Sequence, residues 1–244
     1  MSSSTDGSSA TVPQLQRTAD PGHWLAGRVA VVTGASRGIG AATAEAIAAA
    51  GAHVVLAARD REALAGVAGR IRDAGGDATP MPADVSRVQD VERLFAAAVL
   101  ESVPFAETTP EVWEQTLGVN LTGCFLCCRA AFAAMRAGSG GRIVTIGSLS
   151  GVYATEKFPG LAAYNVSKYG VIGLTEAIAV EGRPHDISAI CVSPGAVDTD
   201  MLRRANPALR PGLTPPDVAQ LILALLDSPL APASGANIPL FSNA

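Results

Sequence analysis

The chain has 244 residues, which suits one large domain or two small ones, and 48% of them are hydrophobic, enough for a sizeable core. The formal net charge is −4 and the lysines and arginines are scattered, so the composition argues against a nucleic-acid partner. The apolar runs are short and broken by charges or glycine, which predicts no membrane-spanning segment. The opening MSSSTDGSSATVPQ lacks the pattern of a secretion signal and predicts a flexible tail over residues 1–24, followed by one domain over residues 25–244.

Strand-like and helix-like patterns alternate along the first third of the chain. RVAVVT (28–33) and HVVLAA (53–58) are apolar and rich in β-branched residues, which predicts two buried parallel strands. The alanine-rich segment between them predicts a helix that Gly51 ends. Four apolar residues at helical spacing predict the next helix: Leu64, Val67, Ala68 and Ile71.

The same alternation continues to the end of the chain. A third strand is predicted within ATPMPADV (78–85), and Val88, Val91, Leu94 and Phe95 predict a helix after it. Three later segments are strand-like: RIVTIGS (142–148), ISAICVSPG (187–195) and GANIPLF (235–241). The pattern indicates an α/β fold, a doubly wound Rossmann-type parallel sheet with helices on both faces, in a single domain.

The segment TGASRGIG (33–40) lies between the first strand and the first helix. Glycines at this position allow a tight turn and a close approach to a pyrophosphate, and the helix N-terminus offers N–H groups to it. The alternative is a tight turn that binds nothing. We favour a dinucleotide site formed by Gly34, Ser36, Arg37, Gly38, Ile39 and Gly40.

The residues after the second strand bear on the choice of dinucleotide. An NAD site usually has an acidic residue at the end of that strand, whereas here Ala58 is followed by Arg59. Two guanidiniums, those of Arg37 and Arg59, suit the 2′-phosphate of NADP(H). Asp60 is interpreted as a helix cap, and NAD(H) is the alternative if its carboxylate turns inward instead.

A tyrosine and a lysine in YNVSK, Tyr164 and Lys168, are four positions apart and share one face of a predicted helix. A phenol titrates near pH 10, so it needs a neighbouring cation to act as a base near neutral pH. The four cysteines include a C-x-x-C at Cys124 and Cys127, but they have no metal-ligand spacing with the three histidines. We expect small buried core residues, no metal, and a reducing, cytoplasmic setting. The alternative is a redox protein that uses Cys124 and Cys127, which requires both sulfurs to be exposed.

These motifs, with several later ones, resemble the short-chain dehydrogenase/reductase family, of the 3-oxoacyl-ACP-reductase-like type, over residues 27–240. The resemblance implies that Asp84 and Val85 flank the adenine ring. Four residues match the family's catalytic tetrad: Asn120 in VNLTG, Ser148 in TIGSLSG, Tyr164 and Lys168. Ser150 is a rival to Ser148, but only Ser148 is followed by Gly151 at the family's spacing. PGAVDT matches the segment that contacts the nicotinamide carboxamide: Pro194, Gly195, Val197 and Thr199.

The resemblance also implies a function. Tyr164 is the acid/base for the substrate oxygen, Lys168 supports it and holds the nicotinamide ribose, Ser148 binds the carbonyl oxygen, and Asn120 positions a water. The expected activity is NADP-dependent oxidoreduction of a small-molecule carbonyl or secondary alcohol. The family usually pairs subunits through helices that correspond here to residues 120–137 and 164–182, so a homodimer or homotetramer is expected.

The chain departs from the family pattern at one central place. The fourth strand and the Asn-Asn-Ala-Gly stretch after it, about 15 residues, are not found in the sequence between Asp84 and Asn120. Either residues 97–103 provide a short substitute strand or the segment is an internal deletion. The alternative function is therefore a catalytically impaired relative that binds nucleotide or pairs subunits. Two smaller departures are a longer Ser148-to-Tyr164 segment, in which residues 156–158 form an enlarged lip, and a short substrate lid over residues 201–213.

Overall fold

The computed structural model describes residues 22–83, 102–227 and 231–242. Several sequence predictions lie outside these ranges. They are the adenine-site pair Asp84 and Val85, the helix over residues 88–95, most of the substitute strand over residues 97–103, and nearly all of the tail over residues 1–24.

The described strands lie close to where the apolar runs predict them. They are β1 (Val29–Thr33), β2 (His53–Ala58), β3 (Asp77–Pro82), β4 (Gly141–Ile146), β5 (Ile187–Pro194) and β6 (Asn237–Leu240). All pairings are parallel, as strands separated by helical crossovers require. The prediction of a Rossmann-type α/β fold in one domain is confirmed.

The strands form two three-stranded sheets, in the orders β1-β2-β3 and β4-β5-β6. Val29 pairs with His53 and Gly141 with Ile187 at the starts of their ladders. Within the described part of the chain, the other edges of β1 and β4 pair with no strand. The described strands therefore form two half-sheets, and residues 84–101, between β3 and β4 in the chain, lie outside the described ranges.

The first strand is less buried than its apolar sequence predicts. Val29 is 69% exposed and Val31 is 46% exposed, whereas Val54 on the neighbouring strand is fully buried. A parallel strand of this kind is buried when helices cover both faces of its sheet. Val29 and Val31 lie on the same face of β1 and line a cavity, so the prediction of burial is wrong for that face.

The described helices follow the expected spacing and cover the sheets. They are α1 (Gly38–Ala49), α2 (Arg61–Asp73), α3 (Pro110–Leu117), α4 (Gly123–Ala137), α5 (Ala162–Gly182), α6 (Asp200–Ala205) and α7 (Pro215–Asp227). After α1 the chain turns at Gly51, which adopts a φ of +94° that favours glycine. The four residues that predict α2 are all buried in its core face.

Helix α7 connects the two half-sheets. It packs along α1, the helix that follows β1. Its Leu223 and Leu226 contact the core formed around β1, β2 and α2. Leu226 also contacts a second core that contains Val192 of β5 and Ile222. The two halves are therefore held together by helix packing on one face.

Helices α3 and α4 are continuous through a π-helical turn, Gly118–Thr122. The combined run, Pro110–Ala137, has 28 residues and a mean hydropathy of 1.5 over its most apolar window. By length and composition alone this run meets the criterion for a membrane-spanning helix, which the short apolar runs of the sequence did not predict. Core helices of water-soluble proteins meet the same criterion.

Candidate active site

One cavity of about 2630 Å³ extends between the two half-sheets. Most of the predicted site residues line it: Gly34, Arg37, Gly38, Ile39, Gly40, Asn120, Ser148, Tyr164, Lys168, Pro194, Gly195, Val197 and Thr199. Ser36 and Arg59 are not in its wall, and Asp84 and Val85 lie outside the described residues. Folding thus brings residues that are up to 165 positions apart, such as Gly34 and Thr199, to the wall of one cavity.

The glycine loop is shaped for a phosphate group. Gly34 and Gly38 have φ values of +63° and +56°, where side chains are strained. A Cβ on Gly40 would collide with the Gly34 carbonyl, so this glycine lets α1 approach the end of β1. The N-terminus of α1 has no side-chain cap and no acidic residue in its first turn, which leaves its end favourable for an anion. The loop therefore fits a dinucleotide pyrophosphate.

Asp60 acts as the helix cap that the sequence predicts. Its Oδ1 accepts a hydrogen bond of 3.0 Å from the Ala63 N–H at the start of α2. Arg59 and Arg37 are both exposed, and Arg37 immediately precedes α1. The carboxylate is thus engaged locally, while the two guanidiniums face solvent.

A buried serine links two members of the predicted tetrad. Asn120 lies in the π-helical turn and is 5% exposed, and its Nδ2 donates to Ser167 Oγ at 3.2 Å. Ser167 Oγ in turn donates to the Tyr164 carbonyl oxygen at 2.7 Å. Asn120 is therefore fixed against the first turns of α5, across 47 residues of sequence. This role of Ser167 was not predicted, because its partner Asn120 is 47 residues away in the sequence.

Lys168 is buried at the cavity wall, 5% exposed. Its Nζ donates to the Ile146 carbonyl oxygen at the end of β4, at 3.0 Å, and lies 5.7 Å from the centroid of the Tyr164 ring. The predicted one-turn relation of the two side chains on α5 is thus observed. A buried ammonium is stable only with such partners, so its position is well determined.

The loop after β4 holds Ser148 against α5. Ser148 Oγ accepts a hydrogen bond of 3.2 Å from the Ser150 N–H, and a short 3₁₀ turn follows over Leu149–Gly151. A Cβ on Gly151 would lie 2.5 Å from the Lys168 carbonyl carbon and 2.7 Å from Tyr169 N. Glycine at this position lets the serine loop pack directly on the backbone of Lys168. This is a physical reason for the Ser-x-x-Gly spacing that favours Ser148 over Ser150.

Comparison with known proteins identifies the family of the chain. The sequence profile described as short chain dehydrogenase matches residues 28–210. The chain belongs to the short chain dehydrogenase family.

Two solved structures and one curated relative illustrate the similarity. A 3-oxoacyl-[acyl-carrier-protein] reductase of Synechocystis sp. is 34% identical over 231 residues, covering 85% of this chain and 92% of the relative. A short-chain type dehydrogenase/reductase from Mycobacterium marinum superposes with a TM-score of 0.80 at 32% identity, covering 89% of this chain and 95% of that one. A 3-oxoacyl (acyl-carrier-protein) reductase from Agrobacterium tumefaciens C58, crystallised with NADP bound, gives a TM-score of 0.80 at 28% identity, covering 90% and 95%.

In this short chain dehydrogenase the PGAVDT segment is tied to the C-terminus and the lid. Gly195 N donates to the Leu240 carbonyl oxygen at 2.9 Å, and Ala196 N donates to Ser242 Oγ at 2.9 Å. Val197 is buried and pairs with Leu213 in an isolated parallel bridge. The short lid is thus anchored at both ends of its loop.

Lys157 makes several hydrogen bonds from the segment predicted as an enlarged lip, residues 156–158, to the loop before it. Its Nζ donates to the Val152 carbonyl oxygen at 2.7 Å, to Thr155 Oγ1 at 2.5 Å and to the Leu149 carbonyl oxygen at 3.3 Å, and it lies 5.4 Å from the centroid of the Tyr169 ring. Its neighbours Glu156 and Phe158 line the cavity. The segment predicted as an enlarged lip, residues 156–158, therefore contributes two of its three residues to the cavity wall.

The cysteines of this short chain dehydrogenase are not all core residues. Cys128 and Cys191 are buried as predicted, but Cys124 and Cys127 are only half-buried, and both line the cavity. The prediction fails for these two because α4 faces the opening beside β4 instead of a continuous sheet.

Proposed function

We propose that the chain is an NADP(H)-dependent oxidoreductase that interconverts a carbonyl compound and a secondary alcohol, with Tyr164 as the acid/base. The observation that carries the proposal is the shared cavity, whose wall contains the phosphate-binding glycine loop together with Asn120, Ser148, Tyr164 and Lys168. Curated relatives that are oxidoreductases support it.

When bound, the nicotinamide cofactor supplies or accepts the hydride. The glycine loop and the α1 N-terminus hold its phosphates, and Lys168 holds the nicotinamide ribose. Ser148 donates a hydrogen bond to the substrate oxygen, stabilising the charge that develops there. Tyr164 exchanges a proton with the same oxygen, and the Asn120–Ser167 link keeps the start of α5 in place while this happens.

NADP(H) is proposed over NAD(H) on local grounds. The Asp60 carboxylate caps α2, so it is engaged away from a ribose, while the exposed Arg37 and Arg59 are available to a 2′-phosphate. A neighbour solved with NADP bound supports the choice. Fluorescence titration should show preference for NADPH, and Arg37→Ala should weaken NADPH binding about 10- to 100-fold with little effect on NADH. Preference for NADH in the unaltered protein would refute the assignment.

Turnover tests the enzymatic function. We expect NADPH-dependent reduction of at least one ketone or diketone from a panel, and a loss of about 10²-fold or more in Tyr164→Phe with NADPH binding largely kept. Ser148→Ala should lose activity, while the matched Ser150→Ala should keep most of it. Equal losses at the two serines would contradict the role given to Ser148.

A second function has one observation in its favour. Among the described strands, β1 and β4 each pair with a strand on one side only, and a protein interrupted between them would bind nucleotide or pair subunits without turnover. In that case NADPH titrates normally, no substrate turns over, and Tyr164→Phe changes nothing.

We also propose a cytoplasmic homodimer or homotetramer without a membrane anchor. Helices α4 and α5 carry four exposed large hydrophobic residues: Phe125, Val166, Tyr169 and Val180. Exposed apolar surface of this kind is typical of subunit interfaces, and the free cysteines suit a reducing compartment. Light scattering of the detergent-free protein should give a dimer or tetramer mass; a monomer would contradict the proposal.

A further inference from the structure

The wall of the cavity beside β4 contains a cluster of thiols on α4. Cys124, Cys127 and Cys128 all line the cavity within little more than one helical turn, and Lys168 lines it from α5. Cys124 and Cys127 are half-buried and line the cavity, whereas Cys191 is fully buried in β5. No role in the proposed oxidoreduction uses these thiols.

The two half-buried thiols are in different hydrogen-bonding states. Cys127 Sγ donates a hydrogen bond to the Gly123 carbonyl oxygen at 2.6 Å. Cys124 instead accepts a hydrogen bond from the Cys128 thiol, which lowers the pKa of Cys124; burial opposes this, and the positive charge of Lys168 adds to the lowering. The same hydrogen bond, with burial, raises the pKa of Cys128. The thiolate, which is the nucleophilic form, is therefore favoured at Cys124.

We propose that Cys124 is a reactive thiol of the cavity and that conjugated carbonyl compounds entering the cavity attach to it covalently. In this step the Cys124 sulfur forms a bond to the β-carbon of the alkene, the π electron pair moves to the α-carbon, and the α-carbon takes a proton from solvent. The adduct is a thioether, and no oxidant or reductant is needed. Within the described ranges no three His, Cys, Asp or Glu side chains are arranged to hold a metal, so covalent chemistry is the use that this cluster supports.

The choice of a carbonyl electrophile rests on the proposed function, because Ser148 and Tyr164 offer hydrogen bonds to a carbonyl oxygen in the same cavity. The reactivity of the thiol does not depend on turnover. A labelling experiment without cofactor therefore tests the thiol alone, and its outcome is separable from that of the turnover assay.

The experiment treats the folded protein with about one equivalent of N-ethylmaleimide at neutral pH and maps the adduct by peptide mass spectrometry. We expect the first adduct on Cys124, a loss of most of this fast labelling in Cys124→Ser, and its retention in the matched Cys127→Ser. Cys128→Ala, which removes the hydrogen-bond donor, should slow labelling of Cys124 by about fivefold, the effect expected for the loss of one hydrogen bond to the thiolate. Thermal melts check that each variant is folded.

Three results would overturn the proposal: equal labelling rates at Cys124 and Cys127, labelling that begins only when the protein unfolds, or a Cys128→Ala variant that is folded and labels at the original rate. Cys191 serves as an internal reference, because its buried sulfur should remain unlabelled throughout.

Discussion

Gly151→Ala should impair the active site more than it impairs the fold. The added methyl carbon would lie 2.5 Å from the Lys168 carbonyl carbon and 2.6 Å from its oxygen, both of which are backbone atoms of α5. Ordinary contact begins at 3.4 Å, so the loop carrying Ser148 and the helix carrying Lys168 must separate by about 0.9 Å. A side chain cannot absorb this change by rotating, because the atoms in conflict belong to the backbone.

The size of the effect follows from that displacement. Overpacking of this kind costs about 1–3 kcal/mol of stability. For a domain of this size the melting temperature then falls by roughly 2–12 °C. A displacement near 1 Å between catalytic groups costs about 10²-fold in turnover. We therefore expect a protein that remains folded and binds NADPH but has kcat reduced about 10²-fold.

The assay combines thermal melts, NADPH titration and turnover with the best substrate from the panel. The matched control is Gly69→Ala, in the middle of α2, where an added Cβ has no atom within 4 Å and should raise stability by up to about 1 kcal/mol. A Gly151→Ala variant with unchanged kcat and unchanged melting temperature would refute the close packing of the serine loop on α5.

Three further perturbations test other parts of the structure. Lys157→Met should raise KM with little change in kcat, because it removes the contacts that hold the cavity lip. The kinetics of Glu181→Gln, at an exposed residue of α5 that does not line the cavity, should stay near those of the unaltered protein. The hydroxyl and the backbone N–H of Thr214, just before α7, donate hydrogen bonds to the Asp217 carboxylate and hold the pKa of Asp217 below its usual value. Its contribution to stability is therefore present above about pH 4 and is lost as the pH falls through the lowered pKa, so melting curves of Asp217→Asn should lack this acid-dependent step. Thr175→Val should lower the free energy of unfolding in urea by about 1–3 kcal/mol, because it leaves the buried Thr145 hydroxyl, 2.7 Å away, without this partner. Adding Thr145→Val should recover much of the lost stability. A double variant less stable than the single one would contradict the pairing.

The sequence predicted the parts of the molecule that depend on local pattern. The burial of Leu64 and Ile71 follows from helical spacing, and the Asp60 cap follows from its place before α2. These features need only the chemistry of a few neighbouring residues, so no knowledge of the tertiary structure is required.

The features that the sequence did not predict depend on distant partners. The exposure of Val31 depends on what covers its face of β1, and the half-burial of Cys124 depends on what covers its face of α4; both residues line the cavity. Ser167 receives its role from Asn120, 47 residues earlier. A periodic pattern reports which face of an element is apolar, but it does not report whether a neighbour is there to cover that face.

The two half-sheets also carry different parts of the proposed active site. The phosphate loop follows β1, whereas Asn120, Ser148, Tyr164 and Lys168 all belong to the part of the chain after Ser102 that carries β4, β5 and β6. No backbone ladder joins these halves among the described strands. Their spacing is set by α7, whose Leu226 contacts both cores, and by the approach of Gly38 to Thr199. The proposed hydride transfer requires a fixed distance between the two halves. The packing of α1 on α7 maintains this distance, which in a continuous sheet would also be maintained by backbone hydrogen bonds between strands.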